Sequence, residues 1–525
     1  VSMILQRFCF SVLWFALLSV GLHAAISLQT DSSVSMPADV EGPARSAMEA
    51  FQSGRHIKAI ELAKPLADQG NAEALYLLGF AHESGQGVEP SREKALEYYR
   101  KAAAGKHKDA VYRMSFILLA SSDVKERDQA RQALETAAKD DPEVAARILG
   151  EAYLRGLLTT KPDSEKAVFW WGRAADAGDT LSMILLARFY EGQFGFAQSK
   201  DLEKAMASYA RAAGLGNSGA MAVLGSRLLS GEAKYRDERK GREWLKKALE
   251  AGETSAHLVL GDYEEFVKKD IAAALAAYQR GSDAGQIDCM LRLADFHLQG
   301  KGVEKNEPKG NELLSKAAES GHPIANLRIA AACFSGDQPT PENKIAGYGH
   351  LVAAANANYG QAQNELGLLY LSGKLGATDA PAGVAWLTRA AQGGNPQAQN
   401  NLAALHETGL AGLSKDLDRA IQLYSMAANQ GHAPATFALA RLVHEGIGTQ
   451  ADPIKAWVLA TVASERGEKE ADALARRIIE QLDEKQRSEA LSQLKEVKFG
   501  KQAAAAKSDI GPEPVNPAKP PQIKK

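Results

Sequence analysis

Cysteine, tryptophan and net charge are all scarce in this chain, and so are long hydrophobic runs. Three Cys and six Trp in 525 residues exclude a disulfide-dense scaffold. Lys and Arg number 62 against 64 Asp and Glu, a formal net charge of -2, which leaves no electrostatic argument for nucleic acid or an anionic membrane surface. No His-Glu-x-x-His helix occurs, and no glycine loop runs into a Lys-Ser/Thr pair, so the usual zinc-hydrolase and phosphate-loop signatures are missing. What remains, 45% hydrophobic and 24% charged residues, is the composition of a folded chain. Its length exceeds that of a single compact domain and points to several domains or a repeat array.

The one long apolar run lies at Phe8–Leu22, broken only by Ser11, Ser19 and Gly21, after Arg7 and before His23-Ala24-Ala25. It is short of the roughly 20 residues that a spanning helix needs, so residues 1–25 read as an export signal cut after Ala24 or Ala25. The alternative is an uncleaved amino-terminal membrane anchor. Either way the expected location is extracytoplasmic, periplasmic or secreted.

The rest of the chain is periodic. A small residue five before a "Leu-Gly" step recurs at Ala74, Ala110, Ala145, Ser182, Ala220, Ala256, Cys289, Ala325, Ala362, Ala398 and Ala435, spaced 33–38 residues apart. Such a period marks a solenoid. Four residues after each mark stands Leu, Met or Ile, on the same helix face, so the small residue admits a neighbouring helix and the larger one fills the seam. A glycine loop follows, as in Gly85-Gln86-Gly87-Val88. A second helix then ends in a joint such as Ala390-Ala391-Gln392-Gly393-Gly394 or Ala102-Ala103-Ala104-Gly105. Nine of eleven joints place Gly at the helix stop, and Asp140 and Asn358 fill the others, because left-handed backbone suits Gly and then Asn or Asp.

The expected fold is all-α, an α-solenoid superhelix of about eleven helix-turn-helix repeats over residues 71–467. A polar lead (26–43) and a capping helix pair (44–70, with Ala47, Phe51, Ile57, Ile60 and Leu66) precede it. Capping helices (468–497, with Leu474, Ile478, Leu482, Leu491 and Leu494) and a Lys/Pro/Ala tail expected to be disordered (498–525) follow it.

Ala-x-x-x-Leu-Gly-x-x-Tyr, Gly-x-Gly-Val, Lys-Ala-x-x-Trp/Tyr and Ala-Ala-x-x-Gly together resemble the Sel1-like repeat, a relative of the tetratricopeptide repeat. The pattern is clearest at Ala74–Gly105, Ala145–Gly178, Cys289–Gly321, Ala362–Gly394, Ala398–Gly431 and Ala435–Gly467. Units at Ala110 and Ala256 depart from it, the second by its short spacing. The resemblance implies a non-enzymatic interaction scaffold that binds a peptide or protein partner on a concave face lined by first helices. Carrying the tetratricopeptide register over puts Tyr76, Tyr112, Arg147, Asn364, Asn400 and Phe437 on that face. Phe80, Phe116, Glu151, Arg188, Asp262, Asp295 and Arg441 lie one turn on. A role in cell-envelope or exopolysaccharide assembly is the alternative, and an envelope hydrolase a more remote one.

Catalytic, cofactor and metal sites are not expected. His82-Glu83, His406-Glu407 and His444-Glu445 occupy a turn where other units place Tyr153, Tyr190 or Tyr370, which marks the turn as packing. The Gly-x-Gly loops follow helices and read as turns. Cys289 and Cys333 fall in different slots of adjacent units, about 12 Å of helix apart before the step between units is added, and are expected to be buried free thiols. Trp170 and Trp171 are adjacent, so one of them must leave the seam. No nucleic-acid partner is expected, and membrane contact only through an uncleaved signal or a partner complex.

Overall fold

A computed structural model describes residues 42–335, 340–374 and 376–500; residues 1–25, read above as an export signal, most of the polar lead and residues 501–525 lie outside them. Among the described residues there are twenty-six α-helices and no strand. None of these helices is long and apolar enough to cross a membrane. The chain divides into two compact units, residues 1–224 and 225–525.

In both units the repeat is a pair of antiparallel helices, usually of 13 residues each, as in Ala72–Ser84 with Arg92–Ala104 and Pro396–Thr408 with Leu417–Asn429. All eleven marked small residues have 0% exposure. Nine of the eleven aliphatic partners four residues later are buried, and Leu260 and Ile329 are half-buried. Core clusters cross repeat boundaries: one joins Leu387, Ala398, Leu402, Leu423, Tyr424, Ala435 and Leu439 of three successive repeats. Each repeat therefore completes its apolar face only with its neighbour.

Capping explains where the helices start. Every second helix of the eleven repeats begins on a Ser, Thr, Asp or Asn whose side chain accepts a backbone N–H, from Ser91 to Asp452. In seven first helices the capped N–H belongs to the marked residue itself: Asn71 Oδ1 accepts from Ala74 at 2.9 Å and Asn395 Oδ1 from Ala398 at 2.9 Å. Each such cap contributes about 1 kcal/mol, and the marked position is fixed by its cap as well as by packing.

The joints differ from the expectation in two places. A left-handed residue stands four before ten of the eleven marks: Gly394 has φ +85°, and Asn358 has φ +59°. Before Ala110 that position is Lys106 (φ +64°), whereas Gly105 has φ -78°. Before Ala145 it is Asp141, with φ -139°, and Asp140 stays helical. There Pro142 opens the next helix directly. Left-handed backbone costs a residue with a Cβ about 1–2 kcal/mol, and Lys106 is exposed. Lys106→Gly is accordingly expected to stabilise the chain by about 0.5–1 kcal/mol after the entropy of glycine is subtracted. A denaturation midpoint that falls would contradict this conformation.

The "Leu-Gly" step is no turn. Gly79, Gly150, Gly261 and Gly367 lie inside first helices, and a Cβ on each would meet a second-helix side chain: Tyr99 at 2.7 Å, Trp171 at 2.4 Å, Tyr278 at 2.3 Å and Leu387 at 2.8 Å. The missing side chain is the socket for the neighbouring ring or leucine. At the ends, Arg45–Gln52 and His56–Asp68 form the leading pair, with Ile57 exposed rather than buried. Lys469–Gln481 and Glu484–Gly500 cover the last repeat through Leu474, Ile478, Leu482 and Leu494, while Leu491 faces solvent.

Candidate functional site: the facing surfaces of the first helices

The register places two positions of each first helix, two and six residues past the mark, toward the next repeat. Their side chains mainly join repeats. Tyr76 is buried, stacks on His107 (4.3 Å between ring centroids), and leaves its hydroxyl without a hydrogen-bond partner; burial pushes its pKa up to about 12. His107 Nε2 reaches Glu73 at 3.1 Å. Tyr112 is buried, donates to Asp141 at 3.3 Å, and is likewise shifted upward by burial. Arg147 Nε lies 3.2 Å from Asp179 Oδ2, an ion pair out of line for a hydrogen bond. Asn364 is buried and accepts from Asn401 at 2.8 Å.

One turn on, the pattern repeats with other chemistry. Phe80 carries the Arg113 guanidinium over its ring at 4.9 Å. Asp262 faces Arg292 at 3.3 Å, and Asp295 pairs with Arg328. Arg113, Arg292 and Arg328 each stand three residues past their marks, a rule that a single repeat does not display. Arg188 is buried beside the Phe194 ring (5.4 Å), bonded through Nε to Gln193 at 2.9 Å. Glu151 is nearly buried, and desolvation raises its pKa to about 7 against the opposing pull of Arg147 and Arg155. Arg441 bridges Glu407 and Glu445.

Of the thirteen residues assigned to that face, Tyr76, Tyr112, Arg188, Asp262 and Asn364 are therefore buried between repeats. Phe80, Phe116, Arg147, Glu151, Asp295, Asn400, Phe437 and Arg441 are half-buried, and none is fully exposed. Buried amides were missed altogether. Asn326, Gln363 and Gln399, one past their marks, bond the carbonyls of Ala318, Ala355 and Ala391 at the preceding helix end, at 3.0–3.2 Å. A polar residue beside each small mark was the available signal.

The turn holding His82-Glu83 is structural as expected. Glu83 accepts from Tyr99 at 2.5 Å and from Arg113 at 3.2 Å, and Glu407 accepts from Tyr424 at 2.9 Å. His444 falls one residue beyond this slot, which buried Val443 occupies. A cavity of about 220 Å³ beside Glu83 is lined by His82, Pro90, Ser91, Arg92, Ala95 and Ile117. Among the described residues, no group of three or more His, Cys, Asp or Glu side chains is arranged to hold a metal. Cys289 and Cys333 are unpaired; Cys289 is buried, its thiol pushed up to about 12 by burial, and Cys333 only half-buried.

The tryptophans divide as their adjacency requires. Trp171 fills the seam, and Trp170 turns out under Arg173 (5.3 Å), as Trp244 does under Lys247 (4.5 Å); Trp386 packs against the core around Leu351 and Leu366 while facing Arg389 (4.8 Å). These i, i+3 cation–π pairs are worth about 0.5–1 kcal/mol each on an exposed helix.

Comparison with known proteins agrees with this architecture. The chain is 30% identical over 297 residues to chitin synthase regulatory factor 3 of Schizosaccharomyces pombe, covering 54% of this chain and 32% of that protein. It is 26% identical over 400 residues to the alginate biosynthesis protein AlgK of Pseudomonas syringae pv. tomato, covering 74% and 81%. The chain thus spans about a third of the first relative's length and most of the second's. A solved structure, the protective antigen c5321 of uropathogenic Escherichia coli, aligns with 87% of this chain and 99% of its own at 24% identity and a TM-score of 0.45. The family model described as the Sel1 repeat matches residues 72–107, 144–179, 180–217, 218–253, 287–322, 360–395, 396–432 and 433–468, and passes over the repeats marked at Ala110, Ala256 and Ala325. With more than half its length in eight matched repeats, the chain belongs to the Sel1 repeat family.

Proposed function

We propose that the chain is an exported, non-enzymatic adaptor that holds a peptide or protein along the half-open edge of its first-helix seams. The observation that carries this reading is the mixture left accessible there. Phe80, Phe116 and Arg147 in the first unit, and Asn400, Phe437 and Arg441 in the second, stay partly exposed while their neighbours are buried, and Glu151 keeps a small accessible edge. Aromatic rings beside arginine are the residues that most often dominate binding energy at an interface. Tyr76 and Tyr112 are too deeply packed to replace without emptying core volume, so they do not serve as probes.

A photo-crosslinking residue at Phe116 or at Phe437 is expected to give a partner adduct in intact cells, while the same residue at the exposed Phe169 of a second helix gives none. Adducts from Phe169 alone would overturn the assignment of the face. Similarity to AlgK over most of both chains and the apolar run at residues 8–22 favour a second reading, an adaptor in envelope polysaccharide assembly. That reading requires the captured partner to be a component of such an assembly.

A further inference from the structure

The repeat marked at Ala256 is the shortest because Lys269 alone separates its first helix from the Asp270 cap of the second, where the repeat at Ala74 has the loop 85–90, and its first helix ends unusually. Residues Ala256–Asp262 are α-helical, Tyr263–Lys268 widen into a π-helical turn, and Lys269 closes it at φ +60°. Widened turns of this kind frequently mark functional positions. This one gathers three buried carboxylates, Asp262, Glu264 and Glu265, within four residues.

Each carboxylate has a partner on a neighbouring element. Glu264 takes Arg242 of helix Glu238–Glu250 at 2.5 Å. Glu265 takes Lys301 at 2.5 Å, and Asp262 lies 3.3 Å from Arg292 of helix Ile287–Gln299, with Asp288 and Cys289 of that helix also facing it. The remaining neighbour is the neutral Tyr278 of helix Ile271–Asp283, fully buried, its ring seated against Gly261. Tyr278 Oη lies 2.7 Å from Asp262 Oδ1 and 2.7 Å from Glu265 Oε2. A phenol has one hydrogen, so two short contacts to carboxyl oxygens need a second hydrogen, and only a protonated carboxyl group supplies it.

We propose that Asp262, Tyr278 and Glu265 share that extra proton as a clamp, which locks the widened turn at acidic pH and frees it as the pH rises. In the locked form the Asp262 carboxylic acid donates to Tyr278 Oη, and the Tyr278 hydroxyl donates to Glu265, whose charge is met by Lys301. Asp262 is the acid of the pair: burial raises its pKa to about 6 against the pull of Arg292, and its Oδ2 has no hydrogen-bond partner. When the proton leaves for solvent, two carboxylates face one hydroxyl hydrogen and one must withdraw. Glu265 is the residue that moves, because it rides on the widened turn and its Lys301 partner is partly exposed.

Hydrogen exchange on the full chain, corrected for the intrinsic pH dependence of exchange, tests this. Peptides covering residues 256–270 are expected to exchange about tenfold faster at pH 8 than at pH 5, the effect of proton linkage over one pH unit, with a midpoint near 6. Asp262→Asn, whose amide supplies the missing hydrogen at every pH, should abolish that step, and Glu265→Gln should do so if the first variant folds poorly. Glu151→Gln should leave the step unchanged. Equal corrected exchange at both pH values in the unsubstituted chain, or a step that survives both amide variants, would overturn the proposal.

Discussion

Gly150→Ala is expected to destabilise the chain by about 3 kcal/mol, while Gly172→Ala, about one helix away, stabilises it by about 0.5–1 kcal/mol. Both glycines are helical and both gain helix propensity on gaining a methyl group. The difference is what the methyl group meets. At Gly150 it lies 2.4 Å from Trp171 Cδ1 and 2.5 Å from Nε1, whereas at Gly172 nothing stands within 4 Å. Trp171 is wholly buried and backed by the Phe194 ring at 6.2 Å, so the indole cannot swing aside without moving its own helix. Overpacking of this kind costs about 1–3 kcal/mol and sometimes more. Urea unfolding followed by tryptophan fluorescence reads both variants, and a Gly150→Ala midpoint within error of the unsubstituted chain would show that the socket is not needed.

That socket shows how the sequence was informative and where it misled. The position after each aliphatic residue is Gly in five repeats and Ala or Ser in the other six, and it stays small because a neighbouring ring or leucine must be admitted. The marked small residues were legible for the same reason, since a seam between two helix axes tolerates only small side chains. The joint before Ala110 shows the opposite case. Gly105 draws attention as the obvious helix stop, yet the fixed count of four residues to the mark assigns the left-handed conformation to Lys106. Spacing was a better guide there than residue type.

The polar chemistry of the seam was much less legible. Arg147 with Asp179, Asp262 with Arg292 and Asp295 with Arg328 are partners 30–33 residues apart. They meet only because consecutive repeats stack, and nothing within one repeat announces the partner. The tetratricopeptide register therefore selects a helix face but cannot say how much of it the next repeat covers. The repeat at Ala256 was visible as a short gap, which is its missing glycine loop, whereas the widened turn and the pairing of its three buried carboxylates with Arg242, Arg292 and Lys301 were not.

Glu151 is the assigned contact residue for which burial has the largest consequence, and Glu151→Gln is expected to stabilise the chain at high pH. The carboxyl group titrates at 4.5 when unfolded and at about 7 when folded, desolvation outweighing the attraction of Arg147 and Arg155. A raised carboxyl pKa means that the folded state holds the proton more tightly. Its stabilising contribution is therefore complete below pH 4.5 and is lost as the pH rises through about 7. The loss amounts to about 3 kcal/mol, because each tenfold difference in proton affinity between the two states is worth about 1.4 kcal/mol. A glutamine cannot titrate, so the variant should match the unsubstituted chain near pH 4 and exceed it by that amount at pH 8. Unfolding free energies measured at both pH values decide the matter: a difference between the two proteins that does not change with pH would mean that Glu151 is already ionised in the folded chain. The sign also bears on binding, because a partner's ammonium or guanidinium group docking beside Glu151 favours its charged form and offsets part of that loss. A half-buried acid that weakens the free scaffold at neutral pH is stabilised when a cation reaches it.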